Sequence, residues 1–140
     1  MGTRRKSREL AMQMLFQGDL GKQSAEQVQK LFWASVADVD AETRGFTEDL
    51  YRIATTRQEE IDVLIEAHAQ NWRIERMAVV DRNLIRAAVA EMIGFPNTPA
   101  AIIINESLDI GRRYAAPESI PFLNGVLDAI ARELLKKRLA

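Results

Sequence analysis

The sequence predicts an all-α fold. Through most of its 140 residues, apolar side chains recur at intervals of three and four, and strand-like alternation never lasts beyond a few positions. The interruptions carry residues that cap or stop helices. Short connections between six to seven such segments imply a helical bundle architecture. A polar stretch from Asn71 to Arg76 divides the chain. This predicts two packed helical lobes, about 1–72 and about 73–140, each too small to be stable alone with ease.

The first helix runs from about Arg4 to Leu20, capped by Thr3 and stopped by Gly21. At about 100° per residue, Leu10, Ala11, Met14 and Leu15 face the core, while Arg5, Met12 and Phe16 fall outside that arc. Ser24 caps a second helix to about Val36, with Val28, Leu31, Phe32 and Ser35 on one face. Asp40 or Thr43 opens a third, whose stripe is Phe46, Leu50, Tyr51 and Ile53. Thr56 to Glu59 has the form of a capping box, and Ile61, Leu64, Ile65 and His68 follow at helical spacing. The strongest pattern spans Ala78 to Ile93, with Val80, Leu84, Ala87, Ala88 and Met92 as its buried stripe. Gly94 ends it. Thr98 and Pro99 read as cap and first-turn proline of a helix to about Tyr114. Pro117, Ser119 and Pro121 mark the last start, and that helix ends near Lys137.

Composition narrows the function. The chain is 47% apolar and 28% charged, as a folded protein should be. It has no cysteine and one histidine, which excludes a disulfide, a thiolate metal site, a cysteine nucleophile and a multi-histidine metal site. No apolar run is long enough to span a bilayer, and the N-terminus lacks the apolar stretch of a signal peptide. A cytoplasmic location is expected. No glycine-rich loop follows a strand, so no nucleotide fingerprint exists. The acidic run Glu59, Glu60, Asp62 and Glu66 reads as a solvated helix face. Trp33 and Trp72 read as core or inter-lobe packing.

Net charge is −1, so a nucleic-acid contact has to be local. Arg4, Arg5, Lys6 and Arg8 supply one. They occupy the first turns of a helix, where the backbone dipole disfavours each cation by up to about 1 kcal/mol. A locally unfavourable cluster points to a phosphate ligand. Phe16 lies on the same side as Arg5, and exposed aromatic faces stack on unpaired bases. The competing reading is a solvated tail with Phe16 buried against another helix. Four such contacts would set a log–log salt slope of about −2.8 on single strands. The helix start near Glu118 could hold an anion, although capping explains it as well. Gly125, inside an apolar helix, is expected to mark a close helix approach. Asn105 and Asn124 are expected to hydrogen-bond buried backbone.

Taken in order, these residues resemble the NusB family of bacterial antitermination factors. The resemblance starts with Arg4-Arg5-Lys6-Ser7-Arg8-Glu9, followed by Ala11, Gln13, Leu15 and Phe16. It continues through Trp72, Asp81-Arg82-Asn83-Leu84-Ile85-Arg86, Glu91, Pro99 and Ile104-Asn105-Glu106. It closes with Ser119 and the stretch from Phe122 to Asp128. The region from about Gly21 to Val63 adds little beyond helices. The resemblance implies two three-helix-bundle lobes and a protein that catalyses no reaction and needs no cofactor. It implies binding of single-stranded boxA RNA together with the ribosomal protein NusE, mainly through the second lobe, and action on RNA polymerase during ribosomal RNA transcription. Family members occur as monomers or homodimers. By position, Arg4, Arg5, Lys6 and Arg8 look like the family's RNA-binding start. Phe16 stands where relatives often have tyrosine. Glu118 matches an acidic position, Phe122 resembles a second aromatic RNA contact, and Asp81 resembles an acidic residue at the RNA and protein-partner surface. The rival reading is a purely protein-binding helical adaptor without specific RNA recognition.

Overall fold

A computed structural model describes residues 3–36, 38–70 and 72–139. Asn71, at the head of the expected polar break, lies outside them. Among the described residues there are seven α-helices and no strand. They are α1 Thr3–Gly21, α2 Ala25–Ser35, α3 Ala41–Thr56, α4 Gln58–His68, α5 Val79–Gly94, α6 Ala100–Tyr114 and α7 Ser119–Leu139. One 3₁₀ turn, Ile74–Arg76, lies between α4 and α5.

The fold is organised around α5, which packs against α1, α3, α4, α6 and α7. Every residue of α5 from Asn83 to Met92 is buried, so the one-sided stripe expected from periodicity is too narrow a description. A helix enclosed on all sides normally reads apolar all round. Here Asp81, Asn83, Arg86 and Glu91 are buried too, and a buried charge is tolerated only when it is paired and hydrogen-bonded. Their hydrogen-bonding partners come from α1, α4 and α7, and they build much of the surface discussed below. One apolar cluster draws on both halves of the chain. It includes Met14 of α1, Ile61 and Ile65 of α4, Ile85 of α5 and Leu123, Leu127 and Ile130 of α7.

Local signals set the helix ends. Ser24 forms a full capping box with Gln27, and the Asp40 carboxylate accepts the Thr43 N–H at 2.7 Å. Two expected caps do not form. α3 continues through Thr56, whose hydroxyl donates back to the Arg52 carbonyl, and α4 then starts at Gln58 without a side-chain cap. Pro99 itself occupies the cap position of α6, so the helix starts one residue later than expected, and it makes no side-chain cap bond. Gly94 has a second reason beyond stopping α5: a Cβ there would come within 2.3 Å of Ile53 Cδ1, where α3 crosses.

Several burial expectations are also corrected. Met12 is buried and belongs to the main apolar cluster, although it lies outside the expected core arc. Leu31 is exposed. Gly125 is exposed, and a Cβ there would meet nothing, so no neighbouring helix requires the glycine. Asn105 and Asn124 are exposed rather than bonded to buried backbone. Trp72 is 51% exposed, whereas Trp33 is half-buried, packs edge-on against Phe32 and donates to Glu48.

Candidate nucleic-acid interface

The basic start of α1 is divided between the inside and the outside of the molecule. Arg8 is 9% exposed. Its Nε and Nη2 donate to the two carboxylate oxygens of Glu91 on α5, each at 2.7 Å, and its Nη1 donates to Glu106 on α6 at 3.2 Å. Such a fork-to-fork pair is among the stronger polar contacts in proteins. The hydrogen bonds it donates to Glu91 raise the Arg8 pKa despite burial. Arg5 donates its Nε to Glu106 at 3.0 Å and its Nη2 to Glu106 and Asp109. That contact with Arg5 lowers the pKa of Glu106 against the opposing effect of burial. The expected phosphate-seeking pair Arg5 and Arg8 therefore meets carboxylates of the same chain, which offset the dipole cost at the helix start. The signature residues Glu91 and Glu106 are their partners.

Arg4 and Lys6 stay outside. Both are exposed. The Arg4 guanidinium lies 3.8 Å from the centroid of Phe46, which is itself edge-on to Phe95. A stacked guanidinium keeps its in-plane donors available while its geometry is fixed. Lys6 reaches only the edge of Glu9, at 4.0 Å. Glu9 instead accepts from Arg113 at 2.7 Å and from the Tyr114 hydroxyl at 2.6 Å, which fastens the next turn of α1 to the end of α6. Phe16, further along that side of α1, is half-buried against the main apolar cluster.

The signature stretch at the start of α5 forms a second network. Asp19 of α1 accepts from Arg82 at 2.7 and 2.8 Å, from Asn83 at 2.9 Å and from Arg86 at 3.0 Å. Hydrogen bonds from Arg82 pull its pKa down to about 2. Arg86 also donates to both oxygens of Asp62 at 2.9 Å. Asp62 is thus a structural partner and not part of a solvated acidic face. His68 has a partner too: its Nε2 lies 2.6 Å from Glu133 of α7.

Asp81, Glu118 and Phe122 come together in one place. With Trp72, Arg76, Met77, Ala78 and Ser119 they line a cavity of about 290 Å³. Trp72 and Phe122 also line a neighbouring cavity of about 450 Å³ with His68, Pro121 and Gly125. Ser119, the first residue of α7, donates to Asp81 Oδ2 at 2.8 Å and joins the starts of α5 and α7. Asp81 is 7% exposed, and its Oδ1 is buried with no hydrogen-bond partner among the described residues. Burial pushes its pKa up, and the Ser119 hydrogen bond opposes that only in part. Sequence reasoning missed Trp72 and Arg76 as members of this surface. Trp72 sits in a polar stretch without periodicity, so nothing local distinguishes a packed indole from a displayed one.

Fold and surface define an all-α binding protein: exposed cations at one helix start, an exposed indole beside a half-buried phenyl ring near another, and, among the described residues, no group of His, Asp and Glu placed to hold a metal ion. Residues 5–132 match the NusB family, and the chain belongs to that family of non-enzymatic antitermination factors. It is 61% identical over 137 residues to the transcription antitermination protein NusB of Koribacter versatilis, covering 98% of this chain and 94% of the relative. The structure of NusB from T. maritima is 30% identical, with a TM-score of 0.85 over 93% of this chain and 91% of that one. A chain in a crystal structure of the antitermination factors NusB and NusE in complex with double-stranded RNA is 28% identical, with a TM-score of 0.86 over 95% and 98%. Among the described residues, no helix is long and apolar enough to cross a membrane.

Proposed function

We propose that this chain works as a cytoplasmic antitermination factor that binds single-stranded boxA RNA together with NusE and acts on RNA polymerase during ribosomal RNA transcription. The observation that carries this reading is full-length similarity to an antitermination NusB at 61% identity. The structural neighbour that holds NusE and RNA supports it.

Arg4 and Lys6 supply phosphate affinity. Arg5 and Arg8 act behind them, by holding α1 on α5 and α6 so that the two outer cations keep a fixed spacing. Phe122 offers a face to a base, and Phe16 does so with the half of its ring that the core leaves open. Glu118 and Asp81 stand at the same cavity, where acceptors favour base edges and repel phosphate. Asp81 stands where the RNA-facing surface and the NusE-facing surface of the C-terminal half meet.

Titration of labelled boxA RNA with the protein, with and without NusE, tests this. A scrambled single strand and a boxA duplex of equal length are the controls. Tighter binding of single-stranded boxA, improved by NusE, is the expected result. Equal binding of boxA and scramble would leave only nonspecific electrostatics, and binding of NusE without any RNA would favour a purely protein-binding adaptor.

A further inference from the structure

A groove of about 500 Å³ runs between the start of α6 and the later turns of α7, at the end of α7 opposite Phe122. Leu135 in its wall stands about 20 Å along the helix from Phe122. The floor is apolar: Met92, Ile104, Ala131 and Leu134 are joined by Leu135, which is 54% exposed. Leu139, one turn on, is exposed as well. Exposed apolar clusters with a polar rim mark interaction sites. The rim here is cationic. Among the described residues, Arg132 and Arg138 line it against a single carboxylate, Asp128. Arg132 meets Asp128 at 3.1 Å, but both side chains are more than half exposed and such a pair holds weakly. Arg138 donates to the Met92 carbonyl near the end of α5, which fixes its guanidinium beside the groove and leaves further donors over. Ala100 and Ala101 form the facing wall. They open α6, which has no side-chain cap and no acidic residue in its first turn, so its first N–H groups add to the positive potential. The dipole of α7 accounts for the cations of its last turn, but Arg132 lies well before that turn.

We infer that this groove docks an amphipathic helix of a partner protein, with leucine-like side chains on the face that enters and Asp or Glu along its flanks. The rim charge favours acidic flanks and rejects basic ones. Both walls are helices, whose inner backbone groups are already bonded to one another. An extended segment would find no ladder to join. A helix satisfies its own backbone and fills such a groove through anchors at i, i+3, i+4 and i+7. Ala100, Ala101 and Ala131 keep the walls low, so the axis of a third helix can come close. RNA fits less well, because none of the described residues in the wall is aromatic and a base finds no face to stack on. A two-fold dimer through this face would set cation against cation.

The test uses the whole protein, isotope-labelled, and three synthetic peptides of about 18 residues, long enough to form a helix. One has leucines at i, i+3, i+4 and i+7 with glutamates on the flanks. The second has lysines in place of the glutamates, and the third has serines in place of the leucines. Binding is read by amide chemical shifts and by fluorescence anisotropy. The glutamate peptide should shift Ala100, Ala101, Ile104 and Ala131 and bind about tenfold tighter than the lysine peptide. The serine peptide should shift none of them. Leu135→Glu and Arg132→Glu, both at exposed positions, should each weaken the glutamate peptide about tenfold, and Arg132→Glu should also narrow its advantage over the lysine peptide. Both variants should stay folded by circular dichroism and bind boxA RNA within about twofold of the unaltered protein. No binding of the glutamate peptide, equal binding of the glutamate and lysine peptides, or shifts confined to other residues would overturn the inference. So would boxA RNA or NusE shifting these same residues, or self-association that Leu135→Glu abolishes, since another occupant would then hold the groove.

Discussion

Arg8 and Glu91 form a two-pronged ion pair 2.7 Å long on each prong, enclosed between α1 and α5. Burying two charges is unfavourable, and the attraction between them roughly repays it. The pair is nonetheless costly to break from one side, because the remaining charge stays buried.

Arg8→Ala is therefore expected to destabilise the fold by about 3–5 kcal/mol. Urea unfolding monitored by circular dichroism measures it. Arg4→Ala removes only an exposed side chain stacked on Phe46 and should cost less than about 1 kcal/mol. Similar losses in both variants would contradict the inside-outside division of the basic start.

RNA binding should divide in the same way. With Arg5 and Arg8 engaged by Glu91, Glu106 and Asp109, two cations of the cluster are left for phosphate. Their joint removal, Arg4→Ala with Lys6→Ala, should lower the log–log salt slope by about 1.4, or about 0.7 for each phosphate. If all four cations met phosphate, the unaltered protein would show a slope of about −2.8 and this double variant would keep about −1.4, whereas two cations give about −1.4 falling to near zero. Affinity measured at several salt concentrations distinguishes the two.

Asp81 makes a pH prediction of unusual sign. Its pKa is raised by burial, so the folded state disfavours the ionised form. Above the folded pKa this penalises folding, and below the unfolded pKa it disappears. Asp81→Asn should stabilise the protein at pH 7, and the advantage should fade as pH falls. Melting curves of both proteins across acid pH check it.

Asp19 behaves the opposite way. Hydrogen bonds from Arg82 hold its pKa at about 2, below the ordinary aspartate value of 3.8. Its contribution, about 2 kcal/mol, is fully present above the unfolded pKa and is lost as pH falls from about 4 to about 2. Asp19→Asn should shrink the difference in stability between those two pH values by about 2 kcal/mol, as read by urea unfolding.

Gly125→Ala should stabilise α7 by about 1 kcal/mol, because the added methyl meets no neighbour. A loss of stability would restore the close helix approach that the sequence pattern suggested.

The helices themselves were legible in the sequence because periodicity and caps are local. Ser24 and Asp40 do what their positions promise. Thr56 does not, since a threonine inside a helix can satisfy its hydroxyl on the preceding turn. Of the candidate site, Arg4, Lys6 and Glu118 are exposed and Phe122 is half-buried like Phe16, while the exposure of Trp72 carried no local sign. The family resemblance identified Glu91 and Glu106 as special without revealing that their partners are the arginines of α1.

What the sequence by itself determined is the all-α class, the order of the helices and the family, because each depends on patterns a few residues long or on residues in series. The tertiary structure alone decided which cations face inward. Arg5 and Lys6 are neighbours in the chain, and helix geometry turns them about 100° apart. Whether that turn meets a carboxylate or solvent depends on α6, about 100 residues away. The same holds for Asp81, which α7 meets with Ser119 on one oxygen while, among the described residues, the other oxygen has no donor.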